Sequence, residues 1–320
     1  MDGTRVAVVI PSWNSAGLLP RCLASLAGQG SVELLVVDNG STDGSAAYLE
    51  REGVPLLALP ANRGFAAAVN LGAARTEAPA VLALNVDTVL EPGALAALAS
   101  ALEADSGLGG VQPRILQLEK GAPMDAGSAR LYSAGQGLTR DGRAVELGAG
   151  EAQRSGYLRR REIFGVCGAA CLLRRELFAE LGGYDERYFA FYEDVDLNVR
   201  ARIAGWRFDY VPEAVIWHVG NASWQEGFRR PNAENARLVA RNRLATQVKL
   251  MPLGAVPRIA VVEAGALLRA ARQRRFLATL RGKLAVLPLL PRLLRERRLL
   301  ARAGDTGRAR AWLGRGLEGR

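Results

Sequence analysis

The fold is decided by the stretch ELLVVDNGSTDG, residues 33–44, in which an apolar run of strand length ends in a polar, glycine-containing loop. Such an uninterrupted apolar run is typical of a strand that is buried on both faces. The same pattern occurs at residues 6–15 and 80–88, and segments with helical spacing of apolar residues separate these strands. The alternation predicts an α/β domain with a mostly parallel central sheet and flanking helices.

Polar side chains follow each predicted strand, at the edge of a parallel sheet where ligands usually bind. They are Trp13, Asn14, Asp38, Asn39, Arg63, Asn85 and Asp87. Four successive polar loops predict a polar ligand, most simply a nucleotide. The glycines have the spacing of neither a dinucleotide-binding fingerprint nor a Walker loop, which argues against a hydride-transfer enzyme and a P-loop NTPase.

A second stretch, YEDVDLNVR at residues 192–200, places three carboxylates at the predicted start of a helix. Acidic residues there stabilise the positive end of a helix by about 0.3–1 kcal/mol each, so capping alone would explain them. The alternative is a general base, set in a cleft by the aromatic run at residues 188–191. We interpret Asp196 as a helix-end carboxylate, and the stretch by itself leaves both explanations of its neighbours open.

The composition is that of a globular protein. The chain has 320 residues, of which 49% are apolar, enough for one large domain or two ordinary ones. Its three cysteines, Cys22, Cys167 and Cys171, form no zinc-binding or disulfide pattern, and no secretory signal precedes the first strand. We therefore expect a reduced, cytoplasmic setting.

Five motifs together resemble family 2 glycosyltransferases of the GT-A fold. They are VVIPSWN at residues 8–14, VVDNGSTDG at residues 36–44, NRGF at residues 62–65 followed by Asn70, NVD at residues 85–87, and Glu193-Asp194. The resemblance, which covers about residues 5–225, implies a Rossmann-like nucleotide-sugar-binding domain and an inverting single displacement. It also implies a divalent metal, Mn²⁺ or Mg²⁺, which offsets the charge of the diphosphate leaving group.

The resemblance assigns the catalytic and metal-binding roles. Asp194 matches the catalytic base, and Glu193 would orient the acceptor. Asp87 matches the metal-binding Asp-x-Asp motif, whose first position is Asn85 here, an amide that either coordinates the metal or binds ribose. His218, the only histidine, follows a predicted strand where the family often has a metal ligand. Without the resemblance, a turn residue explains Asp87 equally well, and a buried core residue explains His218 better.

The remaining candidates are assigned to the nucleotide-sugar donor. Asp38 would accept a hydrogen bond from a ring N–H of the nucleobase, with Asn39 beside it. Trp13 would stack on the base or be an ordinary packing residue. Arg63 would bind ribose or phosphate. The other donor-binding candidates are Pro11, Asn14, Asn62, Asn70 and Asn85. Because uracil and thymine offer the same N–H, this pocket does not distinguish UDP from dTDP.

Residues 119–162 interrupt the alternation with a glycine-rich polar insertion that would cover the donor or frame the acceptor. Within it, DAG at residues 125–127 and GLTRDG at residues 137–142 resemble the rhamnosyltransferase branch of the family. This resemblance favours dTDP-rhamnose as the donor, with a UDP-hexose as the alternative.

The positive charge is concentrated in residues 226–320, which hold 22 Lys and Arg against six Asp and Glu, a net charge of +16. Leucine-rich faces alternate there with arginine-rich faces, as in helices that lie on an anionic membrane. The alternative is that the leucines pack on the catalytic domain. The apolar run at residues 259–271 is too short to span a bilayer, and the scarcity of aromatic residues argues against a nucleic-acid partner.

We therefore predict a GT-A nucleotide-sugar-binding and catalytic domain at residues 1–225 and a basic amphipathic helical region at residues 226–320. The predicted reaction transfers a sugar to a hydroxyl of a lipid-linked or polysaccharide acceptor in cell-envelope glycan synthesis, at the inner face of the cell membrane. A non-catalytic nucleotide-sugar-binding scaffold at the membrane is the alternative. The acceptor, the linkage and the oligomeric state, a homodimer included, stay open.

Overall fold

The computed structural model describes residues 5–118, 124–153, 155–219 and 233–315. Strands and helices alternate in the first part of the chain, as the sequence predicts. The elements are β1 (Val6–Ser12), α1 (Leu19–Leu26), β2 (Val32–Asp38), α2 (Ser45–Arg51), β3 (Leu56–Ala58), α3 (Phe65–Ala73), β4 (Ala80–Leu84), β5 (Thr88–Leu90), α4 (Ala94–Glu103) and β6 (Leu108–Gln117).

The remaining strands and the helices between them follow. The elements are β7 (Leu131–Ser133), β8 (Gln136–Leu138), β9 (Ala144–Glu146), β10 (Arg161–Ile163), β11 (Ala170–Arg174), α5 (Arg175–Glu180), α6 (Glu193–Ala204) and β12 (Arg207–His218). The described C-terminal helices are α7 (Ala233–Leu250), α8 (Val256–Arg272), α9 (Phe276–Leu284), α10 (Leu290–Ala303) and α11 (Thr306–Arg310).

The central sheet has the strand order β10-β12-β6-β11-β4-β1-β2-β3. Strands β3, β2, β1 and β4 are parallel, as predicted, and β12 is parallel to β6. Strand β11 runs antiparallel between β4 and β6, which makes the sheet mixed. The sheet therefore keeps the predicted nucleotide-binding half and adds an antiparallel strand beside it.

Two apolar cores flank the sheet, because successive side chains of a strand point to opposite faces. On β1, Val8 and Ile10 belong to the core under α1, α2 and α4. Val9, on the opposite face, belongs to the core under α3, α5 and α6. A Cβ atom on Gly72 of α3 would lie 2.3 Å from Val9 Cγ1, so this position of α3 requires glycine. The flanking helices of the predicted fold are thus present on both faces.

Strand β11 begins only at Ala170, whereas the preceding strand β10 ends at Ile163. Between these strands the backbone N–H groups of Val166, Cys167 and Gly168 bind side chains instead of a neighbouring strand. Cys167 N donates to Gln112 Oε1 at 2.6 Å, and Gly168 N donates to Asp194 Oδ2 at 2.9 Å. This departure from strand geometry creates one wall of the candidate site.

Some leucines of the C-terminal helices are packed inside the protein, and others are exposed to solvent. Val286 and Leu293 are buried against α7, so part of the apolar surface packs on the protein. Other large apolar side chains stay exposed on α8, α9 and the turns beside them, namely Leu253, Val256, Val261, Leu268, Phe276, Leu277, Leu284 and Leu287. Among the residues described above, no helix is long and apolar enough to cross a membrane.

Candidate active site

A cavity of about 400 Å³ opens at the carboxyl ends of β1, β2 and β4, where the sequence predicts the ligand. Its donor side contains Pro11, Trp13, Asn39, Asn62 and Asn85. The opposite side is formed by the insertion, by residues 167–169 and by the segment that leads into α6. The structure thus brings most of the predicted donor-binding residues to one cavity together with Glu193 and Asp194.

Asp38 directly precedes the cavity-lining residue Asn39 and does not itself line the cavity. The residue is only 2% exposed, and its Oδ2 accepts from Ser41 N at 3.1 Å. Its Oδ1 has no hydrogen-bonding partner in the described part of the chain. Because an unpaired buried carboxylate oxygen is costly, this atom is suited to a ring N–H of a bound base.

Several other predicted donor-binding amides stabilise loops. Asn39 Oδ1 accepts from Arg63 N at 2.8 Å, and its Nδ2 donates to Gly64 O at 3.1 Å. Asn62 Oδ1 accepts from Gly64 N at 2.8 Å. These hydrogen bonds shape the loop that borders the cavity, so Asn39 and Asn62 contribute to the donor pocket by holding its backbone.

Three more predicted donor-binding side chains contact other residues of the protein and do not line the cavity. Asn14 Oδ1 accepts from Thr42 N at 2.8 Å. Asn70 Oδ1 accepts from Tyr184 N, and its Nδ2 donates to Tyr184 O, both at 2.9 Å. The exposed Arg63 guanidinium lies 3.5 Å from a carboxylate oxygen of Glu186. Asn14 and Asn70 therefore connect loops of the scaffold, whereas Arg63 extends along the surface.

Asp87 and His218, which are far apart in the sequence, meet where β5 pairs with β12. Because His218 lies opposite Thr88 in that antiparallel pair, its ring comes beside Asp87. His218 Nε2 is 3.0 Å from Asp87 Oδ1, and both side chains are buried. The rings of His218 and Tyr132 are perpendicular, with their centroids 4.3 Å apart.

This pair fits a divalent metal. Both ring nitrogens of His218 are buried, and among the described residues neither makes a hydrogen bond of regular geometry, so that Asp87 Oδ1 is a close ionic contact of Nε2. A buried imidazole in this state, beside a carboxylate oxygen, is a typical nitrogen–oxygen ligand pair. No cluster of three or more His, Cys, Asp or Glu with metal-binding geometry occurs in residues 5–118, 124–153, 155–219 and 233–315. The protein would therefore supply two ligands from this pair, and the donor diphosphate and water would supply others.

Asp194, the predicted base, lies in the first turn of α6 with both carboxylate oxygens held. Oδ2 accepts from Gln136 Nε2 at 2.8 Å and from Gly168 N at 2.9 Å, and Oδ1 accepts from Val195 N at 2.7 Å. Burial raises the pKa of Asp194 above its ordinary value, although these three donors oppose that shift. A carboxylate in this environment is a stronger base than a solvated one, and its orientation is fixed.

Glu193 is also buried, but it lacks the three side-chain and backbone donors that bind the Asp194 carboxylate. Burial raises its pKa well above the ordinary value, and the negative charge of Asp194 raises it further. Its Oε2 is buried without a hydrogen-bonding partner in the described structure. The three donors therefore favour the ionised form of Asp194, whereas burial and the neighbouring negative charge disfavour the ionised form of Glu193. A protonated carboxyl that lines the cavity can donate a hydrogen bond to a sugar oxygen.

The insertion supplies two site residues that the sequence analysis missed. Gln136 donates from the same Nε2 to Asp194 and to Glu146, and its Oε1 accepts from Asn198 at 2.8 Å. Glu146 also accepts from Ser133 at 2.5 Å. Burial and the nearby Asp194 charge raise the pKa of Glu146 to about 7. No local motif marks Gln136 or Glu146, because their role depends on contacts with residues about 50 positions later.

Gln136→Leu is expected to move the acidic limb of the pH–rate profile upward by about one unit, because one hydrogen bond to a carboxylate is worth about 1–2 kcal/mol. The lost donor stabilises the ionised form of Asp194, so its pKa rises and more alkaline solution is needed to ionise it. The measurement is transfer rate against pH at saturating donor. Gln153→Leu, which removes an insertion glutamine that bonds Ala126, Ala129 and Arg114, is the matched control. An unchanged acidic limb in Gln136→Leu would contradict the role of this amide.

Asp196 lies in the first turn of α6, as its interpretation as a helix-end carboxylate expects, and it also binds two cations of the protein. It is fully buried and accepts from Arg200 Nε at 2.7 Å and from Lys249 Nζ of α7 at 2.6 Å. Burial alone would raise the pKa of Asp196, but Arg200 and Lys249 lower it to about 2. The sequence does not reveal these contacts, because the Lys249 cation lies 53 residues away, in a segment that composition describes only as basic.

The parallel strands β1–β4, the mixed sheet and a cavity with a buried carboxylate pair define a GT-A glycosyltransferase. The chain belongs to the family described as glycosyl transferase family 2, whose pattern matches residues 7–182. It is therefore an enzyme of the glycosyltransferase class, and the alternative of a non-catalytic scaffold is not retained.

Comparisons with known proteins agree with this assignment. The chain is 34% identical over 237 residues to the N-acetylglucosaminyl-diphospho-decaprenol L-rhamnosyltransferase of Mycobacterium tuberculosis (strain H37Rv), which covers 66% of this chain and 75% of the relative. The predicted rhamnosyltransferase-like resemblance is thus confirmed.

Two solved structures share the fold. The crystal structure of GalNAc-T7 with UDP, GalNAc and Mn²⁺ superposes with a TM-score of 0.58 at 16% identity, over 78% of this chain and 51% of that one. The mannosyltransferase PcManGT of Pyrobaculum calidifontis, in complex with GDP-Man and Mn²⁺, gives a TM-score of 0.52 at 20% identity, over 94% of this chain and 86% of that one.

Proposed function

We propose that this glycosyltransferase transfers rhamnose from dTDP-rhamnose to a hydroxyl of a lipid-linked glycan acceptor, with inversion at the anomeric carbon. The observation that carries the proposal is the buried, triply hydrogen-bonded Asp194 carboxylate in the cavity beside the donor loops. The similarity to a rhamnosyltransferase whose name specifies a diphospho-decaprenol acceptor supports the choice of donor and acceptor.

In the proposed reaction each residue has a separate task. Asp38 accepts from the base N–H, and residues 62–65 border the donor pocket. Asp194 takes the proton from the acceptor hydroxyl as that oxygen attacks the anomeric carbon, and Glu193 donates to a sugar oxygen. Asp87 and His218 would hold the divalent metal, which offsets the charge of the departing diphosphate. Asn85 lines the cavity and is assigned to donor binding.

The test of this proposal is transfer from radiolabelled dTDP-rhamnose to a polyprenyl-diphospho-N-acetylglucosamine acceptor. A labelled, lipid-extractable product is expected, and UDP-glucose and UDP-galactose serve as alternative donors. Transfer from a UDP-hexose alone would replace rhamnose in the proposal while leaving the glycosyltransferase assignment intact.

We also propose that residues 1–225 carry the catalysis and that the following helices bring the enzyme to the cytoplasmic face of an anionic membrane. Leu253 and Val261 are each 73% exposed, and Leu268 and Leu277 are 67% and 64% exposed. The exposed cations of the same segment are Arg258, Arg269, Arg272, Arg274 and Arg281. Apolar side chains flanked by cations are the pattern of an interfacial surface.

The combined variant Val261→Ser, Leu268→Ser and Leu277→Ser is expected to lose at least about tenfold in affinity for vesicles of anionic phospholipid, because about 1.5–3 kcal/mol of burial is lost per large side chain. Cosedimentation measures the bound fraction. Leu158→Ser, which removes an apolar side chain that is 52% exposed in the insertion, is the matched control. Equal vesicle capture of the triple variant and the wild type would contradict the proposed membrane surface.

A further inference from the structure

The segment that leads into the catalytic helix has an unusual backbone. In residues 188–192, here named the pre-base loop, Phe189, Phe191 and Tyr192 have φ values of 64°, 70° and 70°. A residue other than glycine in this region costs about 1–3 kcal/mol, and such residues concentrate at functional sites. Residues 189–192 line the cavity, and the loop ends directly before Glu193 and Asp194.

The buried amide of Asn242, in α7, makes three hydrogen bonds to this loop. Asn242 is 1% exposed, and its Nδ2 donates to Tyr188 O at 2.9 Å, to Ala190 O at 2.9 Å and to Phe191 O at 2.7 Å. Its Oδ1 accepts from Arg241 Nε at 2.8 Å, which fixes the orientation of the amide. The donor group therefore faces three loop carbonyls that the left-handed residues turn toward α7.

Arg241 adds a second connection from the same helix. Its Nη2 donates to Arg187 O at 2.7 Å and to Tyr188 O at 3.1 Å. Both residues lie outside the segment that matches the family, residues 7–182. The contacts therefore connect the C-terminal helices to the wall of the cavity.

We propose that Asn242 is a positioning residue, which keeps the pre-base loop in its left-handed conformation so that Glu193 and Asp194 face the acceptor. This inference rests on the proposed function, because it concerns the rate of the same transfer. Without the amide, the carbonyls of Ala190 and Phe191 lose this donor, Tyr188 O keeps only the Arg241 side chain as its side-chain donor, and the loop relaxes toward ordinary φ values. The side chains at the start of α6 then move away from the reactive geometry, whereas Asp38 and its nucleobase contact stay in place.

The test compares Asn242→Leu and Asn242→Asp with a matched control, Gln247→Leu. Gln247 is a buried amide of the same helix that donates to Asp141 O, so its loss removes a similar hydrogen bond away from the pre-base loop. Both Asn242 variants are expected to lose about 30-fold in kcat, with a change of less than about threefold in the KM for the donor. Gln247→Leu is expected to keep kcat within about twofold at a temperature where all variants are folded.

A kcat for Asn242→Leu within twofold of the wild type, with a lowered melting temperature, would overturn the proposal and leave Asn242 a stabilising residue only. If the Asn242 variants do not fold, Arg241→Met carries the test, because its partly exposed side chain tolerates replacement. It is expected to lose about three- to fivefold in kcat through its two lost loop contacts, and an unchanged kcat would overturn the proposal. Absence of transfer by the wild-type enzyme would instead count against the proposed function.

Discussion

Asp194→Asn is expected to lower the transfer rate about 10³-fold while the dissociation constant for the donor nucleotide stays within about threefold of wild type. The amide keeps the shape of the side chain but cannot accept the acceptor proton. The donor side of the cavity, with Asp38 buried behind its loops, does not depend on the charge of Asp194. Single-turnover transfer gives the rate, and calorimetric titration with the nucleotide gives the affinity.

Two companion variants sharpen this test. Glu193→Gln replaces a carboxyl whose burial favours the neutral form with a neutral group of the same size, so a loss of less than about tenfold is expected. Asp105→Asn removes a carboxylate that pairs with Arg207 at the start of β12, outside the cavity. This variant is expected to leave transfer unchanged. Near wild-type turnover of Asp194→Asn would remove this residue from the role of base.

The second large effect is expected at the Asp87–His218 pair. Asp87→Ala and His218→Ala should each weaken nucleotide-dependent binding of Mn²⁺ at least about tenfold, and Asp87→Ala should lower turnover by about 10²- to 10³-fold. Loss of a ligand weakens metal binding, so less of the negative charge on the diphosphate is neutralised. Calorimetric titration of Mn²⁺ into the protein with UDP or dTDP measures binding independently of turnover.

The matched control for the metal site is again Asp105→Asn, which removes a carboxylate outside the cavity. If Mn²⁺ binds with equal affinity to the wild type and to both pair variants, the metal lies elsewhere or is not used. If His218→Ala alone keeps wild-type affinity, the carboxylate of Asp87 suffices, and the imidazole belongs to the packing beside Tyr132.

The sequence predicts the half of the molecule that is built from local patterns. The apolar runs at β1, β2 and β4, each followed by a polar loop, determine the parallel strands and the place of the cavity. The acids before Val195 determine where α6 begins. These predictions succeed because strand burial, loop polarity and helix starts depend on neighbouring residues, which a single sequence displays.

The residues that sequence reasoning missed act through distant contacts. Gln136 and Glu146 lie in an insertion without periodicity, and only the folded chain brings them to Asp194. Asn242 lies in a segment that charge alone describes as basic, yet its amide binds the pre-base loop more than 50 residues earlier. Conversely, Asn14 and Asn70 match family motifs, but their amides hold loops together. A motif identifies a position, whereas its contacts decide whether the side chain meets ligand or protein.

The central claim is that this chain is a metal-dependent nucleotide-sugar transferase, and nucleotide release tests it most directly. The purified enzyme is incubated with dTDP-rhamnose, UDP-glucose, UDP-galactose or GDP-mannose, each with Mn²⁺, with Mg²⁺ or with chelator. Slow release of dTDP from dTDP-rhamnose is expected, with loss of the signal in chelator and in Asp87→Ala. The absence of release from every donor, together with the absence of metal-dependent nucleotide binding by calorimetry, would contradict the claim.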